Sequence, residues 1–292
     1  MKSDMQRTTW GILLREATGT LEAQGVPDAR RAVLWMLGEV LGCSQAHLLA
    51  YPERGATPEQ VRRLRAMVAR RLLREPLQYI LGYAEFYGLR LGVTPAVLIP
   101  RPETEQVVEV ALDLLQGRFR PRVLDVGTGS GCIALAIKHE RPDADVAACD
   151  VSEDALRVAR TNAGACALAV TFFHADILAA DLPNPGAGPF DLIVSNPPYL
   201  ADEEAGTLAP EVLGYEPHRA LFAGEDPLLY YRALAVHAQK GLADGGALVV
   251  ETHADHAGAV CEVLRRMDFF GIQSENDFAG LPRIVIAHGP AG

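Results

Sequence analysis

Between residues 10 and 41 apolar side chains recur three and four positions apart. Trp10, Leu13, Leu14, Ala17 and Leu21 form one set, and Val33, Leu34, Leu37, Val40 and Leu41 form a second after the turn Gly25-Val26-Pro27-Asp28. This spacing predicts two amphipathic helices. Thr57-Pro58-Glu59-Gln60 predicts the start of another helix, over about 58–74: Thr57 can cap, Pro58 suits the first turn, and Gln60 stands where a capping box needs it. The helical period stops at Glu75-Pro76, and residues 86–93 alternate in the manner of a strand or hairpin. Ile99-Pro100-Arg101-Pro102 reads as stiff and extended, because each proline fixes its own φ and restricts the residue before it. These signals place a helical domain over 1–75 and a hairpin or linker over 76–100.

From residue 101 to 292 the pattern changes. Helical stretches over 103–115, 133–139, 153–163, 227–240 and 256–267 alternate with apolar strand patterns over 122–126, 145–149, 170–173, 190–195, 247–251 and 284–287. Repeated strand and helix order predicts an α/β domain, a doubly wound and mostly parallel sheet covered on both faces. Ligands of such sheets bind beyond the carboxyl ends of the strands, so the turns after each strand are where chemistry is expected.

Composition narrows the setting. The 292 residues are 49% hydrophobic and 22% charged, values of a globular chain. No apolar run approaches the ~20 residues of a membrane-spanning helix. The N-terminus lacks a secretory apolar stretch. Five scattered cysteines without a C-x-x-C pair indicate neither a disulfide framework nor a zinc ribbon, and a reducing cytoplasm is expected. The net charge of -10 hides an asymmetry: residues 1–100 carry 13 Lys and Arg against 9 Asp and Glu, and residues 101–292 carry 14 against 28. On the helix over 58–74, Arg62, Arg63, Arg65, Arg70, Arg71 and Arg74 read either as a solvated face or as a docking surface for an acidic or RNA-associated protein.

The turn after the first strand of the α/β domain is Asp125-Val126-Gly127-Thr128-Gly129-Ser130-Gly131. Glycines permit tight turns and close ligand approach, and the following helix offers unpaired N–H groups. The third glycine of a dinucleotide fingerprint would fall on Cys132, and there is no G-K-[ST], so neither a nicotinamide enzyme nor a nucleoside triphosphatase is indicated. Asp125 can accept hydrogen bonds from loop amides or a ligand ammonium. Asp150 ends the second strand, where a carboxylate can take both hydroxyls of a ribose. Asp176 follows the third and suits the amine of adenine. Any one of these acids could be structural; together with the glycine loop they favour an adenosine ligand.

The fourth strand ends in Ser195-Asn196-Pro197-Pro198-Tyr199. Paired prolines have no N–H to donate, so the Pro197 carbonyl can be held as a pure acceptor beside the side-chain oxygen of Asn196. Two converging acceptors suit a planar NH2 group, and Tyr199 offers an aromatic wall for it. Glu251, His253, Asp255 and His256 follow the fifth strand, where histidines at this spacing read as a helix start; no metal is expected.

Asp-x-Gly-x-Gly-x-Gly joined to Asn-Pro-Pro-Tyr resembles the class I S-adenosylmethionine methyltransferases that modify planar amines or amides. Within them, residues 76–82, Glu85-Phe86, the Ile-Pro-Arg-Pro-Glu-Thr-Glu segment of 99–105, residues 127–136 and 193–199, Glu216-Pro217 and Asp277-x-x-Gly280-x-x-Arg283 resemble the release-factor glutamine methyltransferases. The resemblance implies a Rossmann-like, mostly parallel seven-stranded sheet with a small N-terminal helical bundle that engages the release factor. It implies methyl transfer from S-adenosylmethionine to the side-chain nitrogen of the glutamine in a release factor's Gly-Gly-Gln motif. Carried over, Gly127, Thr128, Gly129, Ser130 and Gly131 would hold the methionine part of the cofactor, Asp150 the ribose, and Asp176 with Ile177 the adenine. Asn196, Pro197, Pro198 and Tyr199 would hold the substrate amide. Partners implied are class 1 release factors, with no stable nucleic-acid or membrane binding.

The chain departs from the family at Glu251-Thr252-His253, where Glu-Ile-Gly is usual, and at Glu225-Asp226-Pro227, where Asp-Gly is usual. Both departures are expected to touch peripheral loops only. The rival activity is methylation of an adenine or cytosine amine in nucleic acid, against which the acidic second half argues. A non-catalytic S-adenosylmethionine-binding module would have no need of Asn196 and Tyr199.

Overall fold

A computed structural model of the chain describes residues 8–186 and 188–289. Five helices come first: α1 (Trp10–Ala23), α2 (Ala29–Leu41), α3 (Gln45–Ala50), α4 (Pro58–Leu72) and α5 (Leu77–Leu81). The hairpin β1 (Tyr83–Phe86) and β2 (Leu89–Gly92) follows, then α6 (Pro102–Leu114), β3 (Arg122–Val126), α7 (Cys132–Glu140), β4 (Asp145–Asp150), α8 (Glu153–Cys166), β5 (Thr171–His174) and β6 (Phe190–Ser195). The chain continues through β7 (Leu200–Ala201), α9 (Pro210–Tyr215), β8 (Phe222–Gly224), α10 (Leu229–Gly241), β9 (Leu242–Glu251), α11 (Ala257–Arg266), β10 (Phe270–Asn276) and β11 (Pro282–His288). These elements form two compact units. The first takes the chain through Gly82 together with Ala209–Tyr215, and the second takes Tyr83–Leu208 and the chain from Glu216 onward. The segment expected as a linker over 76–100 thus divides, with α5 in the helical unit and the hairpin in the other.

The helical unit follows its apolar spacing. Trp10, Leu13, Leu14, Ala17 and Leu21 of α1 and Val33, Leu34, Leu37 and Val40 of α2 share one core with Leu48, Leu64, Val68 and Ile80. The capping box forms as the sequence predicts, with Gln60 N donating to Thr57 Oγ1 at 3.2 Å and Thr57 N to Gln60 Oε1 at 2.9 Å. Such caps contribute about 1 kcal/mol each.

The arginines of α4 are not one face. Arg71 is 6% exposed and donates to Glu211 of α9 at 3.0 Å and to the Glu75 carbonyl. Arg74 reaches Glu211 and the Gly25 carbonyl, and Arg70 pairs with Glu75 and donates to the Tyr79 and Ile80 carbonyls. Arg62 pairs with Glu59 one turn back. Arg71 and Arg74 are therefore struts within the unit and Arg70 is an exposed tie to Glu75 and the carbonyls of α5, so the run is not one uniform face. Arg63 and Arg65 are exposed.

In the second unit seven strands order as β10-β11-β9-β6-β3-β4-β5, with β11 antiparallel to both neighbours and the pairs from β9 to β5 parallel. Successive strand residues go to opposite faces. Val123, Leu192, Val194 and Val249 enter a core with Val107, Val108 and Ala111 of α6 and Ile133, Ala134 and Ile137 of α7. Leu124, Val126, Ile193, Leu248 and Val250 enter a second core with Tyr231, Leu234 and Ala238 of α10 and Val260 and Leu264 of α11. Both faces are covered, which is why these strands read as apolar runs. The strand the sequence did not announce is β10. It forms the sheet edge and is exposed at every position but Ile272, so it carries no apolar alternation.

Among the described residues no helix is long and apolar enough to cross a membrane.

Candidate active site

Strand order fixes where the site lies. The chain leaves β3 towards β4 and β5 on one side and returns to β6 on the other, so the carboxyl ends of β3 and β6 flank the crevice of a topological switch point. In register Val126 lies beside Ser195, and Ser195 Oγ donates to the Val126 carbonyl at 2.7 Å. The glycine turn after β3 and the Asn-Pro-Pro turn after β6 are thereby neighbours.

Gly127, Gly129 and Gly131 all have positive φ, at 73°, 55° and 85°. They differ in what a side chain would meet. A Cβ on Gly127 or Gly129 would enter open space, whereas one on Gly131 would lie 3.2 Å from Leu135 Cδ1 and 3.3 Å from Ala159 Cβ. Gly131 thus lets the start of α7 lie against α8. The turn is pinned by Gly127 N and Thr128 N donating to the Cys149 carbonyl and by Gly129 N donating to Asp150 Oδ2 at 2.9 Å.

Asp125 is fully buried beneath this turn. Its Oδ2 accepts from Thr128 Oγ1 at 2.6 Å and Ala134 N at 3.2 Å, and Oδ1 has no partner among the described residues. Burial pushes its carboxyl up to about 7, against those two hydrogen bonds. Asp150 ends β4, where its Oδ1 accepts from Ser152 N at 2.8 Å. Burial raises its carboxyl, while the Ser152 and Gly129 amides and the Arg219 charge lower it.

A cavity of about 350 Å³ opens over these strand ends, within the usual size for a small-molecule site. Gly127, Thr128, Gly129, Ser130, Asp150, Asp176, Ile177, Asn196, Pro197 and Pro198 line it. Asp125, Gly131 and Tyr199 are not among the residues that line it. Asp125 acts from below the turn, Gly131 serves helix packing, and the Tyr199 ring lies 6.1 Å from that of His253. Burial pushes the Tyr199 phenol up to about 12.

The sequence reasoning gave no role to Arg101, Thr104, Arg219 and Tyr230, which also line the cavity. The first two sit in the Ile-Pro-Arg-Pro-Glu-Thr-Glu segment, the signal that could have found them. Glu216 staples that segment in place, accepting from Ile99 N at 3.1 Å and from Arg101 at 2.6 Å.

Behind Asn196 stands a buried chain of polar groups. Asn196 Nδ2 donates to Thr104 Oγ1 at 3.3 Å, and Thr104 Oγ1 donates to Glu251 Oε2 at 2.6 Å. Thr104 is 2% and Glu251 3% exposed. Glu251 is therefore no peripheral loop residue, contrary to the expectation for its segment. His253 caps the short 3-10 turn Ala254–His256, and no group of three or more His, Cys, Asp or Glu among the described residues is arranged for a metal. At the other departure, Asp226 Oδ1 accepts from Leu228 N and its carboxylate pairs with Arg232, fastening the start of α10.

The residues fit an adenosine-type ligand with a charged tail. Two glycines face open space, and Asp150 and Asp176 stand at successive strand ends along the cavity wall.

This sheet order, with a glycine turn and an Asn-Pro-Pro turn on adjoining strand ends, defines a class I S-adenosylmethionine-dependent methyltransferase. The fold is shared with the solved hMettl16 catalytic domain in complex with MAT2A 3′UTR hairpin 6, at a TM-score of 0.55 and 17% identity over 77% of this chain and 81% of that one. Residues 13–82 match the PrmC N-terminal domain and residues 103–224 the methyltransferase small domain. Two curated relatives, both named release factor glutamine methyltransferase, align over nearly the whole chain. That of Koribacter versatilis is 41% identical over 92% of this chain and 95% of its own length, and that of Chlorobaculum tepidum 40% identical over 95% and 97%. The chain belongs to the release factor glutamine methyltransferase family.

Proposed function

We propose that this chain transfers a methyl group from S-adenosylmethionine to the side-chain amide nitrogen of the glutamine in the Gly-Gly-Gln motif of class 1 peptide chain release factors. The observation that carries the reading is Asn196, which lines the cavity and whose Nδ2 donates to Thr104, leaving Oδ1 as the acceptor for a substrate amide. Asp150 would hold the ribose hydroxyls, Asp176 and Ile177 would border the adenine, and the turn from Gly127 to Ser130 would hold the methionine part. The cofactor supplies an electrophilic methyl group.

The chain must do the rest. An amide nitrogen is a poor nucleophile because its lone pair is delocalised into the carbonyl. Asn196 Oδ1 and the Pro197 carbonyl each accept one N–H of the substrate amide, which turns the nitrogen face towards the methyl donor. The same two acceptors favour positive charge as it develops on that nitrogen. The methylated nitrogen is acidic and releases its proton without a strong base, so the absence of a poised histidine among the lining residues is no obstacle.

Incubation with methyl-labelled cofactor and either release factor, release factor with its Gly-Gly-Gln glutamine changed to alanine, or adenine- and cytosine-containing nucleic acid tests this. Label is expected on the first alone, and label on nucleic acid would overturn the reading. Asn196→Ala should keep cofactor affinity near normal and lower turnover about 100-fold, as expected of a group that acts in the transition state.

A further inference from the structure

Glu251 is a buried carboxylate beside the cavity to which the mechanism above gives no task. We propose that Thr104 and Glu251 are positioning residues that hold the Asn196 side chain in one of its two amide orientations, so that Oδ1 and not the NH2 meets the substrate. This rests on the reading of Asn196 as the acceptor for the glutamine amide.

The two ends of an asparagine side chain have nearly the same shape, so shape alone does not choose between them. A wrong choice would set the Asn196 NH2 against the substrate NH2, two donors face to face. The choice is made by the polarity of the chain behind it. An ionised carboxylate only accepts, so the single Thr104 proton is drawn to Glu251 Oε2 at 2.6 Å. Thr104 Oγ1 then has only lone pairs to offer Asn196, and the atom 3.3 Å away must be the donor Nδ2. Donation runs from Asn196 to Thr104 to Glu251.

Strand register builds this arrangement into the fold. Ser195 of β6 lies beside Val250 of β9, which makes Asn196 and Glu251 the next residues on adjacent strands. Ile284 of β11 lies on the other side of Glu251, and Thr104 comes from the first turn of α6. Burying a carboxylate is costly unless hydrogen bonds compensate, and the Thr104 hydroxyl does so at the point where it also orders Asn196.

The arrangement depends on charge. A protonated Glu251 can donate, Thr104 can then accept, and Asn196 is free to reverse. Burial pushes the Glu251 carboxyl up to about 7; Thr104, the Arg283 charge and Asn196 draw it down, and Glu103 raises it. Tyr199, Tyr231 and Cys132 also lie within its field, and Arg283 is itself paired with Asp277. Turnover should accordingly fall as pH drops through about 7, the range in which Glu251 takes up its proton.

The test uses the full-length protein with Thr104→Val, Thr104→Ser and Glu251→Gln. Thr104→Val should lower kcat on release factor about 10-fold or more with cofactor Kd unchanged, and Thr104→Ser, which keeps the hydroxyl, should recover most of it. Glu251→Gln should remove the acidic limb of the kcat profile. A second measurement needs no substrate: the Asn196 side-chain amide protons, assigned by NMR from their loss in Asn196→Asp, should exchange slowly with solvent in the wild type and faster in Thr104→Val. Wild-type kcat in Thr104→Val, an unshifted acidic limb in Glu251→Gln, or equal amide exchange in wild type and Thr104→Val would overturn the proposal. A wild-type protein that shows the exchange pattern yet leaves release factors unmethylated would overturn the proposed function and not the orientation.

Discussion

Asp150 joins two tasks in one side chain. Its two oxygens accept from Gly129 N and Ser152 N, so the carboxylate is oriented before any ligand arrives. Asp150→Ala should weaken cofactor binding by about 1–3 kcal/mol, the range for losing charge-assisted hydrogen bonds, measured by calorimetry on the folded variant. Asp125 makes a different prediction, about protons. Its carboxyl stands at about 7 in the folded chain against an ordinary 3.8, so between those values the folded state binds a proton that the unfolded state has released. Folding is therefore favoured at the acid end of that window and loses stability as pH rises through it. In Asp125→Asn the amide oxygen can keep the Thr128 and Ala134 bonds while NH2 takes the place of the unpartnered Oδ1. The stability difference between wild type and this variant, followed by denaturant titration without cofactor, should move against the wild type from pH 4 to 7 and level off above. A flat difference would mean that Asp125 is ionised in the fold throughout.

Glycines in the second unit separate into those that leave room for a ligand and those that leave room for a helix. Gly131→Ala must place a Cβ at a φ of 85° and against both Leu135 and Ala159, and should cost about 1–3 kcal/mol. Gly164→Ala, at an exposed position within α8 where a Cβ meets nothing, should stabilise by about 0.5–1 kcal/mol. Equal unfolding midpoints for the two variants would refute the distinction. Elements of this kind were legible in the chain where a local rule acts. The capping box, the apolar strands β3 and β6, and the turns after them are each specified by neighbours within a few residues. β10 was not legible, because an exposed edge strand needs no buried face and leaves no alternation. Nor was the chain from Asn196 through Thr104 to Glu251, whose members come from three elements and meet only through strand order. The same holds for Arg71 and Arg74, charged residues on a polar helix until Glu211 is seen between them.

At the scale of the whole molecule the positive charge of the helical unit and the negative charge of the remainder suggest a division between capture and chemistry. Arg63 and Arg65 are the arginines of α4 suited to test it, since neither serves the ion pairs that hold the unit together. Replacing both by glutamine should lower kcat/KM on release factor and flatten its salt dependence while kcat and unfolding midpoint stay unchanged. Unchanged kcat/KM at low salt would return these residues to a solvated face. Completion of the helical unit, in turn, has a place in time as well as in space. Arg71 is made 140 residues before its partner Glu211. At about 5–20 residues per second, translation leaves roughly 7–30 s in which this guanidinium has left the ribosome's active centre and its carboxylate does not yet exist. The nascent N-terminal helices pass that interval without the carboxylate that Arg71 and Arg74 share in the finished fold, their guanidinium groups left to water and to nearby carbonyls.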